Sequence, residues 1–155
     1  MKFELFGEAV VRFGISFRRI RALRDFADVK TGDVGGWLEK SENLDHGGDA
    51  WVSGNARVSG NARVYGDARV YGDARVYGDA EVSEKILLAT RSDGWVFVCA
   101  PGKEGGVRII AGCRYFTIEQ ARGHWSRTRA GTKLGNESLA IVDFLEKMAK
   151  IRGWE

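Results

Sequence analysis

The sequence predicts a mainly β protein: a short parallel β-helix at the centre, an N-terminal β-hairpin, and a C-terminal module of three strands and two helices. Three observations predict this fold class. A six-residue unit repeats from residue 48 to residue 82, the first residues of the chain alternate between apolar and polar side chains, and helix signals appear after residue 116. A strict short period outweighs local propensity, so the repeat is considered first.

The repeat reads Val, Ser or Tyr, Gly, Asn or Asp, Ala and usually Arg. Helices place apolar residues three and four apart, and a Gly in every unit would also penalise a helix. The repeat is far longer than the ~3–10 residues of an ordinary strand. A solenoid remains, in which each unit is a short strand that ends at a corner formed by Gly and Asn or Asp. The predicted inward residues are Val52, Val58, Val64, Val70, Val76 and Val82, with Ala50, Ala56, Ala62, Ala68, Ala74 and Ala80 near the corners.

This pattern resembles the hexapeptide repeat of left-handed parallel β-helices, in which a small residue follows an aliphatic one four positions later. The resemblance implies a left-handed helix with three hexads in each triangular coil. Neighbouring hexads then lie on different faces, and residues three hexads apart stack at the strand-to-strand spacing of about 4.8 Å. The expected stacks are Arg57 on Arg75, Arg63 on Glu81 and Trp51 on Arg69.

The segment that enters the repeat is less regular. Extending the register back from Val52 puts His46 at an aliphatic position and Leu44 at a small one, so the first coil is expected to be degenerate, as terminal repeats usually are. The motifs DVK, GD and GGW before the YGDA units are similar to uncharacterised proteins found largely in phages and prophages. This similarity covers about residues 17–82 and implies an architecture and a context but no activity.

The flanking segments predict the remaining elements. Residues 2–23 alternate with breaks at two glycines, which is typical of a hairpin. Three strands are predicted at residues 85–90, 95–100 and 107–112, and Thr117 with Gln120 forms a capping box before a helix. A second helix is expected to start near Asn136. The predicted domains are an N-terminal β cap at 1–36, the β-helix at 37–83 and the C-terminal βββαα module at 84–155.

Composition excludes few classes of protein. The chain has 155 residues and a formal net charge of +3, which permits a nucleic-acid or acidic-protein partner without requiring one. No apolar run approaches the ~20 residues of a membrane helix, and the N-terminus lacks the apolar core of a signal peptide, so we expect a cytoplasmic protein without membrane contact. Cys99 and Cys113 lack CxxC spacing, which indicates reduced thiols and no metal or cofactor.

A basic and aromatic stretch near the C-terminus is the predicted contact surface for an anionic partner. Between residues 108 and 133 there are six Lys or Arg residues and one acid, Glu119, so the stretch carries a charge of +5 (six minus one). Aromatic side chains lie among these cations, although arginines fanned into water around a buried Trp125 would give the same pattern. The candidate binding residues are Arg108, Arg114, Arg122, His124, Arg127, Arg129 and Lys133.

The exterior of the solenoid is a second candidate surface. Its Arg and Tyr side chains are either a solvated exterior or a face for oligomerisation or for another partner. Trimers are common in the resembling family, and a thin column of Val and Ala leaves backbone edges exposed at both ends. We therefore expect a homo-oligomer, most simply a trimer. The candidate face residues are Tyr65, Tyr71, Tyr77, Arg57 and Arg75.

These observations favour a non-enzymatic binding protein of phage or prophage origin. Its β-helix would be the scaffold, and it would interfere with a host defence system by binding a protein, a nucleic acid or a nucleotide signal. Two alternatives come from other classes. A hexapeptide-type acyltransferase would bind coenzyme A and depend on His46, and a structural virion or assembly protein would polymerise without a ligand. No catalytic residue is assigned.

Overall fold

The computed structural model describes residues 1–154, which divide into two compact units. The first spans Met1–Ile86 and the second begins at Leu87. The first unit contains a hairpin, a third long strand, a 3-10 turn at Ser41–Asn43 and six two-residue strands. Its strands are β1 (Phe3–Arg12), β2 (Ile15–Ala22), β3 (Val34–Leu38), β4 (Trp51–Val52), β5 (Arg57–Val58), β6 (Arg63–Val64), β7 (Arg69–Val70), β8 (Arg75–Val76) and β9 (Glu81–Val82).

The repeat forms a parallel β-solenoid. Strands three hexads apart pair in parallel, and the three expected stacks are confirmed as register partners. Every valine of the repeat is fully buried and its alanines are at most 2% exposed, as the inward positions require. The corner glycines have φ between +62° and +69°, the left-handed region that favours glycine. Three stacks result, and their members are β3–β5–β8, β4–β7 and β6–β9.

The register of the first coil differs from the prediction. Leu44, not His46, occupies the inward aliphatic position, because Leu44 bridges in parallel to Val64. Eight residues separate Leu44 from Val52, whereas six separate Val64 from Val70, so the first coil has two extra residues at this corner. A strict period cannot locate such an insertion, since the hexad pattern is already lost there. The extra length carries His46 out of the column.

The predicted N-terminal hairpin is present and continues one face of the solenoid. Strands β1 and β2 pair antiparallel, β2 pairs antiparallel with β3, and β3 pairs in parallel with β5. The register shifts between Phe6 and Val10, so the hairpin bends around Gly7 instead of ending there. This five-stranded sheet, in the order β1-β2-β3-β5-β8, brings residues of the hairpin beside the second coil.

The GGW motif has a packing role in this sheet. Gly35 and Gly36 are buried. A Cβ at Gly35 would lie 2.5 Å from the Val52 carbonyl oxygen, and one at Gly36 would lie 2.7 Å from the Ala56 carbonyl oxygen. Only glycine therefore allows β3 to approach the coil this closely, and Leu38 at its end is fully buried.

The second unit is an antiparallel sheet with two helices. It has four strands in sequential order, where three were predicted, because the residues after Gly112 turn back and pair with β12. This short fourth strand carries no alternation that a sequence pattern could detect. The elements are β10 (Leu87–Thr90), β11 (Val96–Pro101), β12 (Val107–Ala111), β13 (Arg114–Phe116), α1 (Ile118–Thr128) and α2 (Lys133–Ile151).

The helices pack on the sheet around an aromatic core. The capping box of Thr117 and Gln120 is confirmed at the start of α1. Helix α2 starts at Lys133, three residues before the predicted Asn136, because the Thr132 side chain accepts a hydrogen bond from the Gly135 amide and caps it. The core residues of the two helices are Ala121, Trp125, Val142, Leu145 and Ala149, packed on Phe97, Cys99, Ile109 and Ala111 of the sheet.

Candidate anion-binding site

A cleft of about 310 Å³ lies in the second unit, between the β10–β11 turn, the β12–β13 turn and helix α1. It combines guanidinium groups, an imidazole and two indole rings. Its wall carries a single carboxylate. The lining residues are Arg91, Asp93, Trp95, Ala111, Cys113, Arg114, His124, Trp125 and Arg129.

Arg91 forms the rigid side of the cleft. It is 5% exposed, and its Nε and Nη2 donate to the two carboxylate oxygens of Asp93 at 2.9 and 2.7 Å. Nη1 donates to the Ser138 hydroxyl of α2 at 3.0 Å, which fixes the turn to the helix. These hydrogen bonds lower the pKa of Asp93 to about 2. The carboxylate is therefore ionised and already paired with a guanidinium.

Trp95 forms an aromatic wall that depends on a glycine. The indole is 43% exposed and lies against Gly112, where a Cβ would be 2.3 Å from Trp95 Cζ2. Gly112 also has φ +60°, so both the space and the backbone require glycine there. Trp125 is 3% exposed and packs on Phe97, with ring centroids 5.0 Å apart. The Trp95 indole thus faces solvent, whereas the Trp125 indole is packed in the core at the base of the cleft.

His124 lies among the arginines of the predicted surface. Its ring meets that of Trp125 edge to face at a centroid distance of 5.0 Å. Its pKa is lowered first by burial and then by the charges of Arg114, Arg127 and Arg129. These three arginines are exposed. Within residues 1–154, none of the ion pairs includes any of them.

The other predicted residues do not line the cleft. Arg122 donates to Asp143 at 2.7 Å and to Glu146 at 2.6 Å, and these carboxylates raise its pKa and neutralise its charge. The guanidinium of Arg108 lies beside Gly102 at the other end of β12. Lys133 is exposed at the first residue of α2. Of the seven predicted residues, Arg114, His124 and Arg129 line the cleft. Arg127 lies close enough to affect the pKa of His124 but does not line the cleft, and the other three lie elsewhere.

Sequence reasoning missed one side of the cleft. Arg91, Asp93 and Trp95 belong to a segment that was predicted only as a turn and the start of a strand. A sequence signal was present, because an Arg directly before Ser-Asp-Gly can pair with the Asp that follows it two residues later in the same turn. Cys113 is exposed in the cleft, whereas Cys99 is buried and burial raises its pKa to about 12.

The candidate residues of the solenoid face lie on different sides of the coil. Tyr65, Tyr71 and Tyr77 directly follow β6, β7 and β8, which belong to three separate stacks. They therefore do not form one tyrosine surface. Arg57 and Arg75, by contrast, are register neighbours in the same sheet, and Arg75 lies over the Phe13 ring of the hairpin at 4.2 Å. The N-terminal hairpin thus contacts this arginine pair.

His46 has structural partners in the first unit. Its ring stacks on Phe3 at 4.2 Å, and its Nδ1 accepts a hydrogen bond from the Lys2 amide at 3.1 Å. Its pKa is lowered first by burial and then by the charges of the N-terminal amine and Lys2. These contacts place the imidazole at the start of the solenoid, where the first coil is enlarged.

These observations define a repeat protein of the β-solenoid class. The family model described as the YdcK beta solenoid repeat matches residues 50–66, 56–72, 62–78 and 68–84. Together these matches span residues 50–84, which contain the valine and alanine columns. A search of curated proteins found no significant match.

Neither a metal cluster nor a membrane span occurs in the part of the chain that the structure describes. Within residues 1–154, no three His, Cys, Asp or Glu side chains are grouped so that they could hold a metal ion. Over the same residues, neither helix combines the length and the apolar character needed to cross a membrane.

Proposed function

We propose that the protein is a non-enzymatic binding protein whose second unit holds an anionic ligand in the cleft. The observation that carries this proposal is the charge distribution. Within residues 1–154, none of the ion pairs includes Arg114 or Arg129, while the carboxylate of Asp93 is paired with Arg91. An anion would therefore gain guanidinium donors without displacing an internal ion pair. Guanidinium groups donate to phosphate and carboxylate oxygens in pairs, which makes arginine suited to such ligands.

The aromatic wall favours a nucleotide or a single-stranded nucleic acid among anions. Trp95 presents an exposed indole beside the cations. Stacking of a base on an aromatic side chain contributes about 1–3 kcal/mol and tolerates any sequence. A cleft of about 310 Å³ has room for a base or a ribose phosphate, not for a folded partner. The phosphate would face Arg114 and Arg129.

Titration with AMP and with a short labelled single-stranded RNA tests this function. We expect saturable binding that weakens by about a hundredfold or more in the Arg114→Gln/Arg129→Gln variant, since each of the two charge-assisted hydrogen bonds contributes about 1.5–3 kcal/mol. Binding of the RNA should also weaken as salt rises, with a smaller slope in the variant. Arg122→Gln is the matched control, because this arginine is already neutralised by Asp143 and Glu146.

Two results would contradict the proposal. One is the absence of saturable binding of either ligand to the intact protein. The other is an equal loss of affinity in the Arg122→Gln control, which would indicate a diffuse electrostatic effect. If coenzyme A bound instead and His46→Ala abolished that binding, the acyltransferase alternative would replace this function.

The biological use that we propose follows from the phage or prophage context of the resembling entry segment. A small phage protein that binds a nucleotide signal, a nucleic acid or a protein of a host defence system in the host cytoplasm would inhibit that system. Expression of the chain in a defended host, followed by phage challenge, measures this effect. If the Arg114→Gln/Arg129→Gln variant no longer inhibits the defence system while Arg122→Gln still does, the effect depends on the cleft.

For the first unit we propose a left-handed coil, capped by the β1–β2 hairpin, that acts as the scaffold of a homotrimer. Support comes from the short parallel strands of the solenoid and from the hairpin, which continues one sheet beyond β3. Native mass spectrometry of the untagged protein measures the oligomeric state and detects any co-purified ligand. A monomer would contradict the trimer but leave the binding cleft unaffected.

A further inference from the structure

A second cationic cleft lies in the first unit, between the N-terminal hairpin and the outer face of the solenoid sheet. Its volume is about 240 Å³. Arg12 and Phe17 of the hairpin form one side, and Trp37 and Arg57 of the sheet form the other. Asp73 is the carboxylate residue among those that line it. Nothing in the proposed function of the second unit uses this cleft.

Four arginines occupy the same position of the repeat, which allows a direct comparison. Arg63 pairs with Asp45 at 3.6 Å, and Arg69 pairs with Asp28 at 2.9 Å. Arg57 and Arg75, on the face that carries the hairpin, are different. Among residues 1–154, none of the ion pairs includes either of them. Of the four equivalent arginines, two are therefore paired with a carboxylate and two are in none of these ion pairs.

The uncompensated pair faces a third arginine. Arg57 and Arg75 are register partners in adjacent parallel strands, so their Cα atoms are about 4.8 Å apart. The charges of Arg75 and Arg12, after the effect of burial, lower the pKa of Arg57, and Asp73 opposes them. Arg12, Arg57 and Asp73 line the cleft, and Arg75 lies beside it as the register partner of Arg57. Three guanidinium groups minus one carboxylate give this group of side chains a charge of +2. Like charges close together repel each other, and an anion between them would offset this repulsion.

The turn of the hairpin is shaped for this contact. Phe13 and Gly14 form its tip with φ of +54° and +75°, the left-handed pair of a two-residue hairpin turn. Asn or Asp normally takes the first position, because a phenylalanine there is strained. The Phe13 ring nevertheless lies 4.2 Å from the Arg75 guanidinium and holds it beside Arg57. The strained residue thus contacts an arginine that is in none of the ion pairs of residues 1–154.

We propose that Arg12, Arg57 and Arg75 form a second anion site, and that it binds the phosphate group of a phosphate monoester. The dianion of a monoester matches the charge of +2. Each guanidinium can donate two parallel hydrogen bonds to phosphate oxygens. The organic part of the ester would lie against Phe17 and Trp37, the apolar sides of the cleft. The site thus takes a small phosphorylated molecule.

Phenyl phosphate is the probe for this site. Its titration at constant ionic strength, followed through the ¹H–¹⁵N signals of the Trp37 indole and of Arg57 Nε, reports on this cleft alone. We expect saturable shifts, with about tenfold weaker binding in Arg57→Gln/Arg75→Gln. The matched control, Arg63→Gln/Arg69→Gln, removes the same charge from the same repeat position and should keep its affinity within about twofold.

Two outcomes would overturn the proposal. One is that the Trp37 signals stay unchanged at saturating probe, and the other is that the two double variants lose affinity equally. If Arg57→Gln/Arg75→Gln does not fold, Arg12→Gln, an exposed substitution in the hairpin, replaces it and should weaken binding several-fold. The Arg114→Gln/Arg129→Gln variant should leave these shifts intact. Failure of the nucleotide site and failure of this site are therefore distinguishable.

Discussion

Among residues 1–154, each unit buries one basic side chain, and the two side chains are stabilised by different partners. In the first unit Lys2 is fully buried, and its ammonium donates to the carbonyl oxygens of Ala50 at 2.7 Å and Gly47 at 3.3 Å. In the second unit Arg91 is 5% exposed and is held by the carboxylate of Asp93 and the hydroxyl of Ser138. The ammonium of Lys2 is thus stabilised by neutral carbonyl groups, whereas the guanidinium of Arg91 is stabilised mainly by the negative charge of Asp93.

The difference determines which group titrates. Burial is the main cause that lowers the pKa of Lys2 to about 8, and the Arg24 charge adds to it, so this ammonium can lose its proton while the protein stays folded. A guanidinium keeps its proton at any pH at which proteins fold. In the second unit the acidic partner therefore responds to pH, and the pKa of Asp93 falls to about 2. The first unit is thus sensitive to base and the second to acid.

Removal of the Arg91 side chain should have the largest effect. Arg91→Ala loses the contacts with the Trp95 and Phe97 rings and leaves a cavity between the turn and α2. Together with the lost charge-assisted hydrogen bonds, we expect the free energy of unfolding of the second unit to fall by about 4 kcal/mol. Native-state hydrogen exchange of the β11 and β12 amides measures that unit separately.

The control for this substitution is Arg108→Ala, in the same sheet. Its guanidinium donates to the backbone carbonyl of Val107 and has no carboxylate partner in the ion pairs of residues 1–154. We expect a loss within about 1 kcal/mol. A similar small loss for Arg91→Ala would show that the buried arginine contributes no more than a surface one, and the comparison would fail.

Deprotonation of Lys2 should have the next largest effect. The folded pKa of about 8 lies below the unfolded value of 10.5, so between these values the unfolded chain binds a proton that the folded chain lacks. Stability therefore rises with pH from about 8 to about 10.5, by about 3 kcal/mol over the whole window. Urea unfolding followed by circular dichroism at several pH values in this window measures the slope.

Two lysine variants isolate this effect. Lys2→Met removes the titrating group and should abolish the rise, whereas Lys30→Met, at an exposed lysine, should retain it. Parallel pH profiles for the wild type and Lys2→Met would contradict the assignment. The comparison between variants also cancels the ionisation of tyrosines, which occurs in all three proteins.

The regular part of the first unit could be predicted residue by residue. The hexad places Val58 and Ala56 inward, and the three-hexad stacking places Arg57 on Arg75, because each unit repeats the same local geometry. The two-residue insertion before Val52 could not be predicted, since a period contains no information where it is broken. The burial of Lys2 was equally hidden, because a lysine at the second residue of a chain is ordinarily exposed.

The second unit was predicted only in part, and neither cleft was predicted. The helices followed from the capping box and the apolar stripe, but the cleft depends on contacts between residues distant in the chain. Arg91 reaches Ser138 across 47 positions, and the Phe13 ring at the tip of the hairpin contacts Arg75 of the distant repeat. Charge counting grouped Arg114 and Arg129 with His124, which the fold places near one another, and it also included Arg122, which carboxylates of α2 neutralise. Composition does not reveal which cations have carboxylate partners.

The smallest effect should come from the acidic partner of Arg91. The folded pKa of Asp93, about 2, lies below its usual 3.8, so the ion pair contributes stability that is fully present above about pH 4 and is lost as pH falls toward 2. Because the carboxylate is at the surface, water replaces much of the interaction. Asp93→Asn should lower stability slightly at neutral pH and flatten this acid slope in β11 hydrogen exchange. Glu104→Gln, at an exposed carboxylate of the same unit, should leave the slope unchanged. An unaltered slope in Asp93→Asn would mean that Arg91 is held by Ser138 and the two rings alone, and the two buried cations would then differ only in their ability to lose a proton.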